Sequence, residues 1–120
     1  MICYIAPERG DCNVILQVVQ PMFPEGQIQR FMSSKELLAA VPMIIEARSQ
    51  LMVLAPSREN LVELSACRSC FEDFRIVLVL PDEEEESVTQ GHSLRPRVVG
   101  VGTRFIDELP AILSKMLKGS

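Results

Sequence analysis

Apolar residues along the chain gather into five short runs rich in β-forming residues, at 2–6, 27–32, 50–55, 75–80 and 97–101, and each run is followed by a helix-compatible stretch. Two of them, Leu51-Met52-Val53-Leu54 and Ile76-Val77-Leu78-Val79-Leu80, are continuously apolar, as parallel strands covered on both faces are. The run Gln27-Ile28-Gln29-Arg30-Phe31-Met32 alternates polar and apolar and reads as a more exposed edge strand.

The intervening stretches carry helix signals. Asp11 stands where an N-cap would, and Val14, Ile15, Val18, Val19 and Met22 recur on one face before Pro21 and Pro24 stop the pattern. Ser33-Ser34-Lys35-Glu36 reads as a capping box, with Ser33 bonding first-turn amides and Glu36 reaching back. Leu37, Leu38, Val41, Ile44 and Ile45 follow as an apolar stripe that Pro42 should kink or split. Ser57 caps a third helix burying Leu61, Leu64 and Phe71. The fourth helix, beginning near Glu83, is the most polar. The last places Phe105, Leu109, Ile112, Leu113 and Met116 on one face, with Pro110 expected near its first turn.

Five β–α units with right-handed crossovers imply a parallel sheet with helices on both faces. Such sheets bind ligands beyond the carboxyl ends of the strands, where strand order reverses. For an order of 2-1-3-4-5 that point lies between residues 6–10 and 55–58.

The length of 120 residues fits one domain, expected to span 1–120. A formal charge of −4, no Trp and a single Tyr argue against a nucleic-acid binder, which needs a basic face with aromatic platforms. No apolar run approaches the roughly 18 residues of a membrane span, and the N-terminus is broken too early by Pro7, Glu8 and Arg9 for a signal peptide. The expectation is a cytoplasmic protein that engages neither nucleic acid nor membrane. Cys67 and Cys70 have the spacing of redox and zinc sites. They fall late in a helix, however, where the dipole does not activate a thiol, and further ligands are distant in sequence, so all four cysteines read as structural thiols and no metal is expected.

The number, order and spacing of the elements resemble the receiver domain of response regulators. The resemblance covers the whole chain and implies a flavodoxin-like α/β fold, a (βα)5 three-layer sandwich with a five-stranded parallel sheet in the order 2-1-3-4-5. Receivers place acidic residues after the first strand, a phosphate-accepting Asp at the end of the third, Ser or Thr after the fourth and Lys after the fifth. These groups hold Mg²⁺, attack the phosphoryl group and read its charge. The corresponding segments here are Ala6-Pro7-Glu8, Val53-Leu54-Ala55-Pro56, Leu80-Pro81-Asp82 and Val101-Gly102-Thr103. The resemblance therefore implies a degenerate receiver that is not phosphorylated and does not depend on Mg²⁺.

Arg9 and Arg58 follow strand ends at the expected switch point, and Thr103 and Arg104 follow the fifth strand. With helix N-termini there, the four form a candidate site for a small anion such as a nucleotide, although no glycine-rich phosphate loop accompanies them. Surface arginines at loop ends are also common without a ligand. The run Asp82, Glu83, Glu84, Glu85, Glu86 holds the chain's net acidity: without it the charge of −4 becomes +1. Carboxylates in a first helical turn are favoured by the helix dipole, so an ordinary charged helix start competes with an acidic docking surface. The segment Gly91-His92-Ser93-Leu94-Arg95-Pro96-Arg97 joins the fourth helix to the fifth strand, and the resemblance makes the fourth helix, fifth strand and fifth helix the habitual contact face. Gly91, His92, Arg95 and Arg97 are accordingly the candidate interface for a protein partner or a homodimer. No nucleophile with its base, metal cluster or cofactor loop is assembled. The expectation is a non-enzymatic signalling or scaffolding module without a cofactor, with a sensor of small anionic ligands as the alternative.

Overall fold

The computed structural model describes residues 1–23, 28–43 and 50–118. Pro24, Gln27, Ile44 and Ile45 lie outside the described residues. Five strands, β1 (Ile2–Ile5), β2 (Gln29–Phe31), β3 (Leu51–Ala55), β4 (Arg75–Val79) and β5 (Val98–Gly100), alternate with five helices, α1 (Cys12–Val19), α2 (Ser34–Ala40), α3 (Arg58–Ala66), α4 (Glu85–Ser93) and α5 (Thr103–Lys118). All neighbouring strands pair in parallel, in the order β2-β1-β3-β4-β5.

Side-chain alternation assigns each strand to two cores. Ile2, Tyr4, Met52, Leu54, Ile76 and Leu78 face one layer, with Leu37 of α2 and Leu61 and Leu64 of α3. Cys3, Ile5, Val53, Val77 and Val79 face the other, with Ile15 and Val19 of α1 and Ile106, Leu109 and Leu113 of α5. Burial on both faces is why β1, β3 and β4 are continuously apolar. β2 lies at the edge of the sheet, as expected, but exposes both Gln29 and Arg30 and buries Phe31, so its burial does not alternate residue by residue.

Local chemistry sets the helix boundaries and corrects several expectations. Ser33 Oγ accepts from the Glu36 amide at 3.1 Å, while Glu36 Oε2 reaches past the cap to the Met32 amide at 3.2 Å. Ser57 and Asn60 form a reciprocal capping box at α3. Asp11 occupies the N-cap of α1 without a side-chain capping bond, because its carboxylate is engaged by Arg9. Val14 is exposed and Ile15 and Val19 carry the buried face of α1. Phe71 is buried, but in the 3-10 turn Arg68–Phe71 that follows α3. The fourth helix starts at Glu85 rather than Glu83, since Asp82 Oδ1 accepts from the Glu84 amide at 3.0 Å and holds the preceding turn. Pro110 lies inside α5 and not near its first turn. Gly102, with φ 88°, turns the chain into α5, so the helix begins several residues earlier than Pro110 suggests.

Candidate functional site

The strand order reverses between β1 and β3, and the chain beyond their carboxyl ends is the switch-point crevice. Two successive tight turns, Arg9 N to Ala6 O at 3.1 Å and Cys12 N to Arg9 O at 3.3 Å, carry the β1–α1 loop round so that the Arg9 side chain lies across the sheet edge. Its guanidinium is saturated. Nε donates to Asp11 Oδ1 at 2.8 Å and Nη2 to Asp11 Oδ2 at 2.9 Å. Nη1 donates to Val79 O at 2.7 Å and to Pro56 O at 3.2 Å, and Nη2 also reaches Leu80 O at 3.2 Å. An arginine has five N–H donors in a planar fork, and these five contacts account for all of them. The side chain is 7% exposed. The crevice thus holds a paired cation belonging to the chain itself, and Arg9 has no donor left for an added anion.

Arg58 stands two residues beyond Pro56, and Asp82 two beyond Leu80. Arg58 Nε and Nη2 both donate to Asp82 Oδ2, at 3.1 and 2.9 Å. The Ser87 hydroxyl first, and then Arg58 and the Glu84 amide, hold the Asp82 carboxyl below its ordinary range against the opposing effect of its burial. This exposed bridge ties the start of α3 to the start of α4. Beside it lies a groove of about 550 Å³ lined by Arg58, Glu84, Glu85, Glu86, Thr89 and Gln90. Thr103 and Arg104 are exposed at the start of α5, where Arg104 faces Glu108 at 3.8 Å. Among the described residues no hydrogen bond or ion pair joins them to Arg9 or Arg58. The four candidate ligand residues are therefore a spent guanidinium, a rim ion pair and two solvent-facing side chains.

The segments that correspond to a receiver's phosphoryl site place no acidic side chain at the end of β3. Ala55 and Pro56 are buried at the end of β3, and Pro7 and Glu8 are exposed after β1. Among the described residues no group of three or more His, Cys, Asp or Glu side chains converges as metal ligands, and no helix is long and apolar enough to cross a membrane.

On the other side of β1, Tyr4 Oη donates to Asn60 Oδ1 at 2.6 Å, Asn60 Nδ2 to Ser34 Oγ at 3.3 Å and Ser34 Oγ to Glu63 Oε2 at 2.9 Å. This network joins β1 to α2 and α3. Burial, with Glu8 and Glu63 nearby, pushes the Tyr4 hydroxyl up to about 12. Nothing local in the sequence marks it, because each hydrogen-bonded pair in it is 26 to 56 residues apart.

The candidate interface divides. His92, Arg95 and Arg97 are exposed, but Gly91 is buried and lies beneath the surface rather than on it. A Cβ at Gly91 would stand 2.6 Å from Leu80 Cδ2 and 3.0 Å from Leu78 Cδ2, so a larger residue here would have to displace the ends of these leucines for α4 to approach the sheet as it does. Arg95 has φ 53°, a left-handed conformation that costs a side-chain-bearing residue roughly 1–2 kcal/mol. Its amide donates to His92 O at 3.0 Å, while buried Leu94 anchors the helix end. His92, Leu94 and Arg95 line a groove of about 600 Å³ with Arg68, Glu72 and Asp73, at the sheet edge opposite the crevice.

Topology and crevice together define an α/β protein of flavodoxin-like topology whose switch point is closed by its own arginine. Comparisons with protein-family models, with curated proteins and with solved structures find no match for this chain.

Proposed function

We propose that the protein is a degenerate, receiver-like signalling or scaffolding module that works through protein contacts, without phosphorylation. The observation that carries this reading is the saturated guanidinium of Arg9 in the crevice. A phosphoryl acceptor needs a reachable carboxylate with a bound cation and charge readers beside it; here Ala55 and Pro56 end the third strand, and an internal cation takes the available acceptors. The same observation weighs against the small-anion sensor, because Arg9 has no free donor. The contact face of this reading is the exposed end of α4, with His92, Arg95 and Arg97, continued by β5 and α5. Its support is the unfavourable backbone of Arg95: strained non-glycine residues persist where the surroundings hold them, and they gather at functional sites.

Two measurements test the reading. Incubation with acetyl phosphate and Mg²⁺, followed by intact mass, gives no adduct; a labile phosphoryl gain refutes it. Light scattering across a concentration series gives self-association in the native protein that Arg95→Glu weakens. Arg95→Gly is a matched control, relieving the backbone while removing the charge, so it should melt higher and associate less. A native protein that is monomeric at every concentration removes the homodimer.

A further inference from the structure

We propose that the crevice is a receptor for a planar guanidinium ion, that Arg9 is its resident ligand, and that this occupant fixes the position of α4 through Leu80. The first part rests on the acceptor set. A carboxylate offers both oxygens side by side, at 2.8 and 2.9 Å from Nε and Nη2, the two-pronged match that a guanidinium makes and an ammonium does not. The opposite edge of the ion meets three main-chain carbonyls, of Pro56, Val79 and Leu80. All three residues are buried, so truncating Arg9 withdraws a donor from each buried carbonyl, which costs more than the loss of counter-charge at the Asp11 carboxylate, 32% exposed to solvent. The acceptors come from the β1–α1 and β3–α3 connections, from the end of β4 and from the residue that follows it, so one ion ties three strand ends together.

The second part follows the chain onward from Leu80. Its carbonyl accepts from Arg9, its amide donates to Gly100 O at 2.9 Å, and its side-chain end lies 2.6 Å from where a Cβ at Gly91 of α4 would stand. A residue held at its carbonyl by Arg9 and pressed at its side chain against Gly91 transmits any movement of the β4–α4 junction directly to α4. His92 is the next residue, and Arg95 lies at the end of the same helix. The state of the crevice and the posture of the proposed contact face are thus one mechanical unit; this second part, in its consequence for association, rests on the reading given above.

The test is chemical rescue. Arg9→Ala should melt lower by roughly 10 °C, the scale expected when buried carbonyls lose their donors in a chain of this size. Millimolar methylguanidinium should raise the melting temperature of Arg9→Ala and leave the native protein unchanged, since a ligand stabilises only a vacant site. Methylammonium at the same concentration should do neither. Hydrogen exchange of the amides of 88–94 should accelerate about tenfold or more in Arg9→Ala and recover with methylguanidinium, a change read on the scale of local opening. If Arg9→Ala is unfolded alone, recovery of its folded spectrum by methylguanidinium is the positive result, and Arg9→Gln, which keeps the stem without the charge, supplies the exchange data. Equal effects of methylguanidinium on both proteins, or no effect on either, overturn the receptor. Acceleration confined to 6–12 overturns the link to α4. Rescue in a native protein that never associates leaves this inference standing and removes the contact reading; association without rescue does the reverse.

Discussion

At the scale of single residues, burial decides chemistry. Cys3 is fully buried, and the cost of a charged thiolate there pushes it from 9.0 to about 12, partly opposed by Arg30. Cys12, Cys67 and Cys70 are each partly exposed. An aromatic disulfide reagent should therefore modify three of the four thiols in the folded protein and reach Cys3 only on unfolding; equal rates for all four would refute this. Tyr4 is likewise raised, from 10.0 to about 12. Both are acids whose neutral form the fold prefers, so their stabilisation is complete below pH 9 and is lost as pH rises through about 12. The urea midpoint should fall along that limb, less steeply in Tyr4→Phe. Asp82 has the opposite sign. Its carboxyl is held below 3.8, so its contribution is present above that value and is lost as pH falls through the lowered one. In Asp82→Asn the acid limb of the urea midpoint should flatten, and an unchanged limb would remove Asp82 from the account. Arg9 and Asp11 stand openly in the sequence, yet a loop-end arginine looks the same whether it awaits an anion or turns back on its own sheet. Its partners at Val79 and Leu80 are 70 and 71 residues away, and only the folded chain brings them within reach.

Elements were legible where the pattern is repetitive, and their ends were legible where capping is local. The strands and their two-sided burial follow from runs such as Ile76-Val77-Leu78-Val79-Leu80, because a continuous apolar strand is stable only between two helical layers; their order in the sheet was legible only through the resemblance to receivers. Ser33 and Ser57 cap as their short-range chemistry requires. The start of α5 was not legible, since proline favours a first turn and the signal actually used is the left-handed Gly102. Pro110 is exposed on the helix exterior, where it has no amide to donate to the Ile106 carbonyl. Pro110→Ala restores that amide donor, and the gain from an interior helix proline, up to about 3 kcal/mol, is reduced by about 1 kcal/mol from the freer unfolded chain. A net stabilisation of roughly 1–2 kcal/mol is expected on these terms, measured by urea denaturation. A loss instead would mean that a bend at Pro110 is required to seat Leu109 and Leu113 in the core.

For the whole molecule, charge is distributed along one helix. Asp82 is withdrawn into a cap and an ion pair, and Glu83, Glu84, Glu85 and Glu86 remain exposed at the start of α4, while Arg95 and Arg97 stand exposed beyond its end. α4 has nine residues, about 14 Å at the ordinary helical rise, so its acidic and basic ends are separate patches about one Debye length apart or more at physiological salt. If two copies meet through this face, a two-fold axis makes every contact reciprocal, so that where one residue meets another on the partner the second also meets the first. A parallel pairing would set carboxylates against carboxylates. An antiparallel pairing sets Glu85 and Glu86 of one copy against Arg95 and Arg97 of the other, which is the arrangement electrostatic complementarity selects. Association should then weaken with added salt, and Arg95→Glu should weaken it further. Introducing Glu86→Arg together with Arg95→Glu should restore it, because the reversed charges again face each other across the axis. Restoration in the double variant, followed by light scattering at low and high salt, would fix both the face and the direction of pairing. A double variant no better than Arg95→Glu alone would mean that Arg95 acts through its backbone turn, or toward a different protein, and not against α4 of a second copy.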